Sequence, residues 1–97
     1  FADLSQTKLR PALVLANAGR GDWVLCPITS NPYGDPDAVS LGQDEFESGS
    51  LRLQSYARPA KLFTMSGNTF VSAAGVLKQS AFTQVIDKLI LVLRRSL

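Results

Sequence analysis

Apolar and polar residues fall in short runs over the first three quarters of the chain and then settle into a helical period. Pro11 fixes its own φ and biases Arg10 towards an extended conformation, and Ala12 to Ala16 follow without a polar break. That run reads as a strand buried on both faces. Asn17 to Asp22 reads as a turn rich in Asn and Gly. Trp23 to Thr29 forms the next strand, with Trp23, Leu25 and Thr29 on one face and Val24, Cys26 and Ile28 on the other, so it is expected to be central. Ser30 to Asp37 is dense in turn residues and reads as a loop. Ala38 to Leu41 is a short strand, and Gly42 to Gly49 a polar connection. Leu51 to Arg58 alternates, with Leu51, Leu53, Ser55 and Ala57 facing one way and Arg52, Gln54, Tyr56 and Arg58 the other. Pro59 interrupts that ladder, Ala60 to Met65 continues past it, and Ser66 to Asn68 turns the chain into a last strand over Thr69 to Val76.

From Gln79 to Arg94 the period changes. Phe82, Val85, Ile86, Leu89 and Leu93 recur at the spacing of one helix face, and Arg94 and Arg95 suit the negative end of the helix dipole. Five or six strands in hairpin order followed by one helix give a mainly β domain, a small closed β-barrel with one C-terminal α-helix. Ile90 and Leu91 lie to the flanks of the stripe, and covering them calls for a second subunit, a two-fold homodimer.

Composition narrows the class. Ninety-seven residues, 45% hydrophobic and 19% charged, are enough for one domain over 1–97 with its own core. The apolar run near the C-terminus, Leu89 to Leu93, is far shorter than the ~20 residues a membrane span needs. The lone Cys26, between Leu25 and Pro27, reads as a reduced, buried thiol. Net charge is only +2, but it is segregated. Residues 21–51 hold six carboxylates and no Lys or Arg, whereas residues 52–86 hold Arg52, Arg58, Lys61 and Lys78 and no carboxylate. A basic face able to meet phosphates or an acidic partner follows.

The chain has no histidine, which removes the serine-hydrolase triad, histidine-pair ribonuclease chemistry and imidazole metal ligation. One Cys and dispersed carboxylates offer no ligand spacing for a zinc or two-metal site, so neither metal nor cofactor is expected. RNA cleavage through the substrate's own 2′-hydroxyl stays open, because it needs positioning and charge stabilisation more than a protein nucleophile. Arg10, on a stiff shoulder before its strand, has the planar fork and permanent charge for that task. Thr29, at a strand end, has a hydroxyl to offer a phosphate oxygen; taken singly, Arg10 reads equally as a solvated arginine and Thr29 as a β-branched residue in ordinary strand work. In the alternating row, Tyr56 can stack a base while Arg52 and Arg58 meet phosphates; the alternative is a solvated strand face with cross-strand pairs.

Four pieces of sequence carry a family likeness: Asp3-Leu4-Ser5, Lys8-x-Arg10-Pro11-Ala12-Leu13-Val14-Leu15, Pro27-Ile28-Thr29-Ser30 and Ser55-Tyr56-Ala57-Arg58-Pro59-Ala60-Lys61-Leu62-Phe63-Thr64. In this order they resemble the MazF/PemK family of bacterial toxin endoribonucleases, the last block its PemK-like branch. The resemblance implies an SH3-like barrel and a cytoplasmic toxin of a type II toxin–antitoxin pair. It implies a homodimer that cuts single-stranded mRNA at a short motif without a metal, leaving a 2′,3′-cyclic phosphate and a 5′-hydroxyl. Its essential Arg and Thr fall on Arg10 and Thr29. Lys8, Arg52, Gln54, Tyr56, Arg58 and Lys61 become RNA-binding candidates, and Asp3 and Ser55 candidates for a base or for lining the site. The implied partner is a cognate antitoxin with an acidic, disordered tail. Family members open with a hydrophobic strand, and Phe1 matches its end, so that strand is expected to be cut short in this numbering. A non-catalytic toxin resembling the CcdB group, or a plain RNA- or protein-binding barrel, remains the alternative.

Overall fold

The computed structural model describes residues 9–95. Among these the chain forms seven strands and one α-helix: β1 (Ala12–Gly19), β2 (Asp22–Thr29), β3 (Val39–Leu41), β4 (Phe46–Gly49), β5 (Ser55–Ala57), β6 (Phe63–Ser66), β7 (Gly75–Leu77) and α1 (Gln79–Arg94). The mainly β architecture with a single C-terminal helix is as the sequence patterning predicts. Among the described residues no helix is long and apolar enough to cross a membrane.

β2 organises the sheet. On one side it pairs along its length with β1; on the other it pairs with β6 from Asp22 to Leu25 and with β5 at Ile28 and Thr29. Pro27, which has no N–H to give, sits beside this change of partner, where the ladder is already broken. A strand shared between two pairings is how small β structures turn a corner. β5 pairs onward with β3, while β4 and β7 form a separate two-stranded sheet. Among the described residues the two sheets do not close into a barrel.

The β1–β2 hairpin is tighter than the sequence reading. β1 runs on to Gly19, which pairs with Asp22, leaving Arg20 and Gly21 as the loop. Both have positive φ, 56° and 82°, as a type I′ hairpin turn requires. Nor is β1 buried on both faces. Among the described residues its ladder partner is β2, and Val14 is 42% exposed while Leu13 and Leu15 are half-buried.

Three further expectations change. Gly42 to Gly49 holds a 3₁₀ turn (Gln43–Glu45) and β4, in place of a plain connection. The strand read over Leu51 to Arg58 shrinks to Ser55–Ala57, and Leu53 is 65% exposed. Local side-chain bonds take the ladder's place: the Gln54 amide donates to Ser40 Oγ at 2.8 Å and the Ser55 hydroxyl to the Leu53 carbonyl at 2.8 Å. The strand read over Thr69 to Val76 shrinks to Gly75–Leu77, after a 3₁₀ turn at Gly67–Thr69.

The helix has the expected bounds. It packs on β3 and on the 3₁₀ turn Pro59–Lys61. Val85 joins Cys26, Leu41 and Ala57 in the core, with Leu13, Leu15, Ile28, Val39 and Leu77 around them. Burial of Val85 and Leu41 stabilises the fold by roughly 1.5–3 kcal/mol each. The inward stripe is shifted from the expected one: Ala81 is buried, whereas Leu93 is 60% exposed. Ile90 and Leu91 are exposed, as their flanking positions predict.

Candidate functional site

The ladder between β1 and β2 sets Ala12 opposite Pro27, and the Ile28 N–H donates to the Pro11 carbonyl at 3.2 Å. Carrying that register two residues on places Arg10 across from Thr29. Thr29 in turn pairs with Tyr56 on β5, and the Arg58 N–H donates to the Pro27 carbonyl at 3.0 Å. One strand end of β2 thus gathers residues from three separate stretches of chain.

These stretches open onto a groove of about 2060 Å³, larger than the roughly 300–1,000 Å³ of a small-molecule pocket. Arg10, Thr29, Arg52, Ser55 and Arg58 line it, with apolar residues of β1, β4, β6 and β7 forming floor and walls. Every charged side chain on its described lining is an arginine; no Asp or Glu is among them. Of the other residues singled out from the sequence, Gln54, Tyr56 and Lys61 are not on the lining. Asp3 and Lys8 lie outside the described residues.

Thr29 closes the start of the Ser30 to Asp37 loop. Its hydroxyl accepts the Asn31 N–H at 3.1 Å and donates to the Asn31 carbonyl at 3.0 Å. Asn31 Oδ1 then accepts the Tyr33 N–H at 2.9 Å, and Asp35 Oδ1 the Asp37 N–H at 2.9 Å. The other Asp35 oxygen, Oδ2, accepts from Arg58 Nε at 2.9 Å. Arg58 also lies over the Tyr33 ring, its guanidinium carbon 5.5 Å from the centroid. At the far end of the loop Arg95 grips Asp37 with both terminal nitrogens at 2.8 Å, tying the loop to the end of α1. The Arg58 hydrogen bond, helped by the Asp37 N–H, holds the Asp35 carboxyl below the usual carboxylate range. Arg95 does the same to Asp37. Burial pushes the Cys26 thiol up to about 11, so it is a protonated core side chain at neutral pH.

Tyr33 and Asp35 were not singled out from the sequence as site residues, and Ser30 only as the end of the run Pro27-Ile28-Thr29-Ser30. Tyr33 and Ser30 are on the groove lining, and Asp35 fixes one of its arginines. The signal available for them was the turn-laden run Pro32-Tyr33-Gly34-Asp35, which marks a loop without showing which distant side chain it meets.

The family model described as PemK-like, MazF-like toxin of type II toxin–antitoxin systems matches residues 2–93. The chain belongs to this family. Solved structures agree on the fold of this toxin. MazE–MazF from Deinococcus radiodurans superimposes with a TM-score of 0.69 at 24% identity, covering 87% of this chain and 83% of that one. An endoribonuclease from Mycobacterial species gives 0.68 at 19% identity, with 87% and 79% covered. The Mycobacterium tuberculosis toxin MazF-mt6 gives 0.68 at 18%, with 82% and 81% covered. The groove of this toxin is therefore carried on a MazF-like framework.

Proposed function

We propose that this toxin is a sequence-specific, metal-independent endoribonuclease that cuts single-stranded mRNA. The observation that carries the reading is the groove whose described charges are all arginine, with Arg10 and Thr29 both on its lining. A polyanion is drawn to such a surface, and an extended strand suits its length. Solved relatives of similar fold are named as endoribonucleases, one of them in complex with its cognate antitoxin.

In the proposed reaction the substrate's 2′-oxygen attacks the adjacent phosphorus as its proton passes to solvent water. The bond from phosphorus to the 5′-oxygen breaks, and that oxygen takes up a proton, leaving a 2′,3′-cyclic phosphate and a 5′-hydroxyl. Arg10 stabilises the charge that builds on the non-bridging oxygens, acting as a fixed cation because its proton is too tightly held to be given. Thr29 turns its hydroxyl from the Asn31 carbonyl to one of those oxygens. Arg52 and Arg58 hold flanking phosphates.

The same surface suits the acidic, disordered tail of a cognate antitoxin, whose carboxylates would occupy the phosphate positions. Exposed Ile90, Leu91 and Leu93 supply apolar area for a two-fold homodimer. The test of the site is Arg10→Ala, which should lower cleavage by roughly two to four orders of magnitude with the fold intact. Arg10→Lys should also be poor, since a point charge cannot bridge two oxygens. Near-normal cleavage by Arg10→Ala sinks the assignment. RNA binding with no cleavage by the wild type would instead favour a non-catalytic toxin, which the lack of a carboxylate base on the described lining also favours.

A further inference from the structure

Tyr33 is 70% exposed, yet its position is closely determined. Its φ of 54° lies in the left-handed region that L-residues with large side chains avoid. Gly34 follows at φ 71°, and the Asp35 N–H closes the turn onto the Pro32 carbonyl at 2.9 Å. Asn31 Oδ1 pins the Tyr33 N–H. Glycine would adopt this φ freely, so the backbone alone does not call for an aromatic residue.

The ring, in turn, is not packing material. It meets a cation, Arg58, which is itself fixed through Nε by Asp35, while most of the side chain remains open on the groove wall. An aromatic ring on a pinned backbone, backed by a guanidinium and open to a groove whose described charges are arginines, is the arrangement on which a nucleobase stacks. Tyr33 lies four residues after Thr29, so within roughly 13 Å of it along the chain.

We propose that Tyr33 is the stacking platform for one nucleobase of single-stranded RNA near the scissile phosphate, with Arg58 against the ring and Asp35 as the residue that positions Arg58. This rests on the RNA reading above and adds a contact to a base where the other residues contact phosphates. Because every base has a π-face, the platform tolerates sequence and contributes to affinity at one position.

The experiment compares two uncleavable probes, a nine-nucleotide 2′-O-methyl oligoadenylate and an abasic chain of the same length, by fluorescence anisotropy. The proteins are the wild type, Tyr33→Phe and Tyr33→Gly, the last chosen because glycine suits the backbone. The wild type and Tyr33→Phe should prefer the probe with bases. Tyr33→Gly should lose roughly 5-fold or more of that preference, while its affinity for the abasic probe stays near the wild-type value. Full preference in Tyr33→Gly, or an equal loss on both probes, overturns the proposal. Cleavage is scored separately on unmodified RNA. A wild type that stacks the base through Tyr33 but does not cut upholds this inference and removes the nuclease reading; one that cuts with no dependence on Tyr33 does the reverse.

Discussion

If the groove takes RNA as proposed, its charge has a measurable consequence in the salt dependence of binding. Arg10, Arg52 and Arg58 are its described charges, and Asp35 shares one of them by holding Arg58 at 2.9 Å. Each phosphate neutralised on a single strand contributes about 0.7 to the slope of log affinity against log salt. Two to three contacts therefore give a slope between about −1.4 and −2.1. Raising KCl from 50 to 200 mM, a fourfold change, should weaken binding of a nine-nucleotide 2′-O-methyl RNA by roughly 7- to 20-fold. Arg52→Ala should make the slope shallower by about 0.7, and Asp35→Asn, which frees Arg58 of its partner, should bring it to the steep end of the range. Anisotropy titrations at four or five salt concentrations measure all three slopes. A wild-type slope near zero would refute the electrostatic groove. So would an Arg52→Ala slope equal to the wild type, since other cations would then be carrying the RNA.

Gly49 has φ 67°, and a Cβ there would meet the Ala74 carbonyl and come within 2.6 Å of Gly75 Cα; at Gly19, φ 89°, a Cβ meets nothing within 4 Å. In urea denaturation Gly19→Ala should cost only the left-handed backbone penalty of about 1–2 kcal/mol, and Gly49→Ala roughly 2–5 kcal/mol as β4 and β7 are forced apart. Because Asp35 and Asp37 titrate below an unfolded value of about 3.9, their contribution to stability is present above that pH and is lost as pH falls through the lowered folded values. The urea midpoint of Asp37→Asn should accordingly lie below that of the wild type at pH 6, and the gap should shrink as the pH drops below about 4; a gap independent of pH contradicts the Arg95 pairing. Cys26, with its thiol near 11, should resist an aromatic disulfide reagent at pH 8 until urea unfolds the chain, and rapid native-state labelling would place it outside the core.

What the sequence disclosed and what it hid follow from the range of the interactions. The helix Gln79–Arg94 was legible because a long 3.6-residue period is a local signal, and β2 because both its faces are apolar. The β4–β7 sheet was not: its strands span only Phe46–Gly49 and Gly75–Leu77, meet across a long separation and rely on two glycines in close approach. Alternation over Leu51 to Gln54 imitated a strand, yet Gln54 and Ser55 spend their hydrogen bonds on Ser40 and Leu53. For the site, Arg10 and Thr29 came chiefly from family likeness, and what the fold adds is a β1–β2 register that, carried on past Ala12 and Pro27, sets them across from each other. The Tyr33–Arg58–Asp35 cluster joins a loop to one arginine more than twenty positions later, for which no local pattern exists.

The measurement that bears most directly on the central claim is an end-chemistry assay on a long single-stranded RNA, run with the purified toxin in excess EDTA. The expected result is cutting at discrete sites, with 5′ ends that a polynucleotide kinase labels directly. The 3′ ends should resist ligation until their cyclic phosphate is removed. RNA left intact in EDTA but cut once magnesium is restored, or products bearing 5′-phosphates, would contradict the account.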